Sequence, residues 1–352
     1  MRLNKLQERI AGEWDAAIIS PGTNFYYLTG LNPLGTLERL FLLVVPGESS
    51  PFIIAPKLYE QELKSFPIET IFWSDSEDPY YIFREKIESI RRKMGKMLIE
   101  DHLPAGILLK MLDALKDYKL EPLSPIISEF RMRKSSEEIE LLKKAAEIVD
   151  KVFYHIIENE ELRGMKEIEV AYLIESLIKK FGGEGLSFPP IVASGPNGAN
   201  PHHTPGEREI RDGDLVIMDY GAIYHGYCSD ITRTVGIGKL SEEAKKVYEV
   251  VKEAQETAFQ RVREGVMAKE IDLAARNVIE SKGYGEYFIH RTGHGLGLDV
   301  HEEPYITPTN ERILENGMVF TIEPGIYLPG KLGVRIEDDV YVSAKGIRLT
   351  QA

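Results

Sequence analysis

The chain has 352 residues, 43% of them apolar and with both charge signs mixed along it, which suffices for two ordinary domains and a sizeable buried core. A formal net charge of −13 excludes a general nucleic-acid or anionic-membrane binder, either of which favours a basic surface, and leaves a small or peptide-like partner. The single cysteine, Cys228, excludes a disulfide framework and a cysteine-rich zinc site, and with no apolar run near the roughly 18 residues that span a bilayer and no secretory leader, the expected location is the cytoplasm.

Residues 1–125 alternate apolar runs with helical periods, the pattern of an α/β unit in which helices cover a sheet. A short helix precedes a strand at Ala16 to Ile19. Further strands are predicted at Phe41 to Val45, at Phe52 to Ile54 after a Pro-Gly break, and at Met97 to Ile99, with a helix over Tyr81 to Lys96. Tyr26 and Tyr27 read as aromatic strand residues of the core.

The register changes at Arg131 to Ile139. Ser135 and Glu138 have capping-box spacing ahead of Ile139, Leu142, Ala145, Ile148, Val149 and Val152, so a long helix opens a second domain, residues 126–352. From Leu186 onward, loops rich in Gly, Pro and Asn alternate with β-like runs, and helices are predicted at Ser241 to Glu264 and Ala268 to Lys282. All candidate chemistry lies in this half.

Two acidic hairpins stand out. In Val216 to Thr234 a two-residue turn at Tyr224-His225 would set Asp219 opposite Asp230. In Val319 to Glu337 a three-residue turn at Pro329-Gly330-Lys331 sets Glu323 opposite Glu337. Opposed residues on a sheet lie about 4.5–5.5 Å apart, where like charges repel, so two such pairs need a reason. Two divalent cations supply it: they neutralise the four carboxylates, and a metal pair makes a nucleophile at neutral pH. His294, set among glycines in Thr292 to Gly297, offers a fifth ligand. One nitrogen among oxygens suits Mn²⁺, Co²⁺, Fe²⁺ or Zn²⁺. Arg335, two positions before Glu337, shares that ligand's face and has an orienting role toward a ligand or the substrate.

Met-Asp219-Tyr-Gly, Ser-Asp230-Ile-Thr-Arg, Gly-His294-Gly-Leu-Gly, Glu323-Pro-Gly and Arg335-Ile-Glu337-Asp-Asp occur together and in that order. With them the chain resembles the creatinase, prolidase and methionine aminopeptidase group, whose catalytic domain has the pita-bread fold. Asn24-Phe-Tyr-Tyr-Leu-Thr-Gly30 resembles part of the small creatinase-type amino-terminal α/β domain. The resemblance implies a dinuclear metal site on Asp219, Asp230, His294, Glu323 and Glu337, loaded most naturally with Mn²⁺ or Co²⁺, with Zn²⁺ or Fe²⁺ as alternatives. It implies that His202 binds substrate and assists proton transfer, that His301 hydrogen-bonds the substrate carbonyl or the developing oxyanion, and that Glu323 moves a proton to the leaving imino nitrogen.

The implied activity is hydrolysis of the bond before proline in a small peptide with proline at its second position, by a homodimer. Prolidases often carry an arginine four residues after the histidine matching His301, and here Tyr305 stands there, which leaves Xaa-Pro aminopeptidase action on longer peptides open beside the dipeptidase reading. A non-catalytic binding module and a creatinase-like hydrolase of guanidino compounds are the other readings of this fold, and the intact ligand set speaks against both. His203 has no assignment, and Cys228 reads as a small buried apolar residue.

Overall fold

The computed structural model describes residues 2–32, 38–90 and 93–352, which divide into two units, Met1–Glu129 and Phe130–Ala352. In the first unit strands β1 (Ala16–Ile19), β2 (Leu42–Pro46), β3 (Phe52–Pro56), β4 (Glu69–Trp73), β5 (Lys96–Ile99) and β6 (Lys119–Pro122) form one mixed sheet in the order β4-β3-β2-β1-β5-β6. The central strands are uninterrupted apolar runs because both faces of the sheet are buried. Helices α1 (Arg2–Ile10), α2 (Thr23–Thr29), α3 (Glu60–Leu63), α4 (Pro79–Ser89), α5 (Ala105–Leu115) and α6 (Ser124–Met132) accompany it. Phe83 and Ile87 of α4 and Ile107 and Met111 of α5 pack on Ile18, Val44, Ile54 and Met97.

Two expectations are corrected here. Tyr26 and Tyr27 lie in a helix, α2, not in a strand. The helix is ended by Gly30 at φ 76°, and its Asn24 side chain donates to the buried Glu100 carboxylate at 3.0 and 3.1 Å. The helix expected over Tyr81 to Lys96 ends at Ser89. The backbone N–H groups of Lys93, Met94, Gly95 and Lys96 instead converge on the carboxylate of Asp15, a partner far away in sequence; Arg91 and Arg92 lie outside the described residues.

The second unit begins with α7 (Ser136–Asn159), capped by Ser135 and Glu138 in a capping box, followed by α8 (Glu167–Lys180), α9 (Glu242–Phe259) and α10 (Ala268–Ser281). Its strands are β7 (Gly185–Leu186), β8 (Ile191–Ser194), β9 (Leu215–Tyr220), β10 (Ala222–Tyr224), β11 (Tyr227–Cys228), β12 (Ile231–Gly236), β13 (Gly293–Gly295), β14 (Glu302–Ile306), β15 (Val319–Ile322), β16 (Gly325–Leu328), β17 (Leu332–Arg335), β18 (Asp338–Val342) and β19 (Gly346–Arg348). Two of their sheets are of like construction, one in each half, β12-β9-β8 under α7 and α8 and β14-β13-β15-β18-β19 under α9 and α10, beside the smaller β11-β10-β7 and β16-β17. Val149, Val170 and Ile174 close on Val216 and Met218 in the first half. Val247, Ile271 and Ala275 close on Phe320, Ile322 and Val340 in the second. Helices therefore cover one face of each sheet, and the site lies where the two halves join. Among the described residues no helix is long and apolar enough to cross a membrane.

Candidate metal centre and cleft

The first acidic hairpin turns one residue later than the sequence suggests, at His225-Gly226, both with positive φ (47° and 79°). That is the backbone of a two-residue hairpin turn of the primed type, with a histidine unusually holding the first place. Asp219 consequently pairs with Thr232 and not with Asp230. The second hairpin turns at Pro329-Gly330-Lys331, and its register is the same on both sides of the break at Glu323-Pro324, with Ile322 opposite Asp338 and Gly325 opposite Arg335.

One bridge joins the hairpins. Glu337 pairs with Thr232, its N–H donating to the Thr232 carbonyl at 3.0 Å and its Oε2 accepting from the Thr232 hydroxyl at 2.6 Å. Neighbours across adjacent strands project from the same face, so Asp219, Thr232, Glu337 and Glu323 form a lateral row over four strands. Asp230 enters from the break between β11 and β12, its N–H held by Asp339 Oδ2 at 3.0 Å.

His294 comes in on β13. A Cβ on Gly293 would fall 1.8 Å from the Thr321 carbonyl oxygen, and one on Gly295 would fall 2.3 Å from that of Glu303, so only glycine lets the neighbouring strands close around this histidine. Its Nδ1–H donates to the Gly295 carbonyl at 3.1 Å, which leaves Nε2 as the lone-pair nitrogen. That nitrogen stands 3.3 Å from Glu323 Oε1 and 3.7 Å from Asp230 Oδ2. Ligand atoms of Asp230, His294 and Glu337 lie within 4.8 Å of one another, and all three residues are buried.

The electrostatics call for a cation. Burial, then the charges of Glu337 and Asp219, push the Asp230 carboxyl well above its ordinary value. Burial, then Glu323 and Asp219, do the same to Glu337. Burial raises Glu323 to about 7 against the opposing pull of Arg335. Burial also keeps His294 neutral by lowering its pKa. Asp219 Oδ1, Asp230 Oδ1 and Glu337 Oε1 are buried without a hydrogen-bond partner among the described residues. Such oxygens are costly to leave unpaired, and oxygen-rich donors around one imidazole are what a divalent cation of the Mn²⁺ to Zn²⁺ series takes. The residues present fit the ions that the sequence implies.

These groups floor a cavity of about 690 Å³. Phe188, Pro189, Pro190, Pro201, Pro205 and Val300 give it an apolar, proline-rich wall. His202 and His301 also line it, both at its exposed rim. The His301 ring lies 4.0 Å from that of His294, and burial of part of the ring, then the charge of Arg291, lower its pKa.

Arg335 donates from Nη2 to Asp219 Oδ2 at 2.5 Å and from Nη1 to the Tyr327 hydroxyl at 2.9 Å. Tyr327 in turn donates to His290 Nε2 at 2.8 Å, since His290 Nδ1 is committed to the Arg291 carbonyl at 2.7 Å and burial depresses its pKa to about 4.

Sequence reasoning did not single out Thr232, Arg291, His290, Tyr327 or Asp339. Only Arg291 and His290, three and four residues ahead of His294, carried a local cue. His203, unassigned from the sequence, hydrogen-bonds the buried Glu167 through Nε2 at 2.8 Å. Cys228 is buried, and its Sγ lies 3.7 Å from the Leu298 carbonyl.

A buried carboxylate row with an imidazole at the floor of a peptide-sized cleft defines a metal-dependent hydrolase. The chain belongs to metallopeptidase family M24: that family's profile matches residues 140–344, and the creatinase/prolidase N-terminal domain matches residues 2–133. Its second unit has the pita-bread fold, preceded by a creatinase-type domain. An uncharacterized peptidase of Staphylococcus aureus (strain USA300) is 40% identical over 335 residues, 94% of this chain and 93% of that protein. The crystal structure of recombinant prolidase from Thermococcus sibiricus superposes with a TM-score of 0.96 at 60% identity, covering 100% of this chain and 96% of that one. That of a dipeptidase from Pyrococcus horikoshii OT3 does so at 0.94 and 53%, covering 100% and 98%. An X-Pro aminopeptidase from Thermotoga maritima MSB8 gives 0.84 at 34%, covering 98% and 97%.

Proposed function

We propose that the protein is an Xaa-Pro dipeptidase, hydrolysing the bond before proline with two divalent cations held by Asp219, Asp230, His294, Glu323 and Glu337. The observation that carries this is the row of buried carboxylates with unpartnered oxygens, opening on a cleft walled by prolines and phenylalanine. The bound cations supply a water activated at neutral pH and polarisation of the scissile carbonyl.

The chain's own residues do the rest. Arg335 holds Asp219 Oδ2 and so turns Oδ1 toward the floor. Thr232 does the same for Glu337, fixing Oε2 and leaving Oε1. Glu323 accepts a proton from the attacking water at its carboxylate and returns it to the imino nitrogen of the departing proline. His202 and His301 at the rim donate to the substrate carbonyl and to the oxyanion that grows there, while the apolar wall receives the pyrrolidine ring.

Mn²⁺ or Co²⁺ are the proposed ions, the cytoplasm the proposed location, and a homodimer the proposed assembly, for which light scattering on the purified protein is the check. Tyr305, in place of a carboxylate-gripping arginine, and the likeness to an X-Pro aminopeptidase favour a second reading, removal of the first residue from longer Xaa-Pro peptides.

The deciding experiment supplies apo protein with Mn²⁺ or Co²⁺ and measures proline released from Met-Pro beside methionine released from Met-Pro-Ala, with Asp230→Asn as control. Cleavage of the dipeptide alone establishes the dipeptidase. Preference for the tripeptide makes it an aminopeptidase, and no metal-dependent cleavage of either removes the peptidase reading.

A further inference from the structure

We infer that Arg291 is the anchor for the substrate's terminal carboxylate, and so the residue that confines the enzyme to dipeptides; this rests on the Xaa-Pro dipeptidase reading above. In a dipeptide the carboxylate carbon lies three bonds beyond the scissile carbonyl carbon, within about 4 Å of it. An enzyme that selects dipeptides must therefore present a cation inside the cleft, close to its reacting centre.

Two arginines line the cavity, Arg291 and Arg335. Arg335 is buried and spends its guanidinium on Asp219, Tyr327 and Thr232. Arg291 is half-buried, and its guanidinium has no hydrogen bond or ion pair with any described residue. It lies over the face of Tyr305, with Cζ 4.4 Å from the ring centroid.

Stacking fixes the plane of a guanidinium while leaving its N–H edge free, and that edge matches a carboxylate in two-point geometry. Tyr305 thus stands where an anchoring arginine is expected from the resemblance, and supports an arginine that arrives from the other strand: Arg291 directly precedes the Thr292-Gly293 step into β13, and Tyr305 lies on β14, its antiparallel partner.

The test compares Met-Pro with Met-Pro amide, which lacks the terminal charge, on Mn²⁺-loaded wild type, Arg291→Met and Arg291→Lys, with melting temperature and metal content as controls for folding and loading. Wild type is expected to favour the acid over the amide. Arg291→Met raises KM for Met-Pro by about tenfold or more, the scale of a desolvated charge pair, leaves KM for the amide within about threefold, and keeps kcat; Arg291→Lys recovers part of the loss. Equal treatment of acid and amide by the wild type, or equal weakening of both by Arg291→Met, overturns the anchor while the dipeptidase reading stands. A wild type that cleaves neither substrate overturns that reading, and the anchor with it.

Discussion

Arg335 reaches Asp219 with an N–O distance of 2.5 Å across two strands of different hairpins, and it does so from a position where both groups are buried. A charge pair of this kind is weak evidence for stability as a pair, but removal of one member leaves the other charge stranded, at a cost of about 3–5 kcal/mol. Arg335→Met is therefore expected to lower the melting temperature and to loosen metal binding by about 10–100-fold, because an outer partner that orients a ligand carboxylate has that scale of effect. Competition with a metal-sensitive dye gives the affinity, and an unchanged affinity would remove the orienting role.

The metal-free protein carries a mutually repelling cluster. Asp230 and Glu337 are driven toward protonation first by burial and then by neighbouring carboxylates, Glu337 and Asp219 for the one and Glu323 and Asp219 for the other, so binding of cations is coupled to the stability of the second unit. Chelation is expected to lower the melting temperature, and Asp230→Asn, which deletes one charge at nearly constant volume, to stabilise the metal-free protein by an amount on the order of 1 kcal/mol while abolishing its response to Mn²⁺. Calorimetry of both proteins with and without Mn²⁺ checks the crossing; a variant that melts lower than wild type in both states contradicts it.

Glu167 gives an acid-sensitive term away from the floor. Burial alone would raise its pKa, but donors from the Ser194 backbone and hydroxyl, His203 and Asn197 outweigh it and hold the carboxyl below the ordinary 4.5. A depressed folded pKa stabilises above the unfolded value and loses that stability as pH falls through the folded one. The loss is thus confined to pH below about 4.5. Glu167→Gln is expected to lower stability at pH 7 by about 1–3 kcal/mol and to flatten the acid limb of the profile. Denaturant midpoints between pH 3 and 7 measure both, and a parallel shift at all pH values rules the ionised carboxylate out as the source.

Cys228 should be inert while the fold is intact. It is buried, and burial pushes its thiol pKa up to about 12, so at pH 8 only about one molecule in ten thousand carries a thiolate. Iodoacetamide is expected to label it only after denaturant opens the hairpin, as mass spectrometry of a labelling time course would show. Fast labelling of the native protein would place the thiol elsewhere.

The parts legible in sequence are those fixed by local chemistry. Ser135 and Glu138 announced the cap of α7, and Pro329-Gly330 announced the tip whose register aligns Glu323 with Glu337. Misreadings occurred where the deciding partner was remote or the residue atypical. His225 adopts a left-handed conformation usually left to Asn or Gly, which moved the first turn by one position and Asp219 from Asp230 to Thr232. Asp15 gathers amides some eighty residues away, at Lys93 to Lys96, and no periodicity could show that. The bridge from Thr232 to Glu337, which joins two hairpins whose acidic residues were visible separately, is a tertiary fact, as is the stacking of Arg291 on Tyr305.

The constant register on either side of Glu323-Pro324 makes the β16–β17 arm a modular extension. Its exposed tip at Pro329 to Lys331 lies beyond four paired positions, Gly325–Arg335 to Leu328–Leu332. Residues added or removed there in matched numbers on both strands leave the phase of the glutamates untouched, whereas an unmatched change within either strand turns one of them to the far side of the sheet. The exposed tip is accordingly the place where length can vary, a graft site for a tag or peptide epitope, set beside paired positions that are buried and admit no slippage at all.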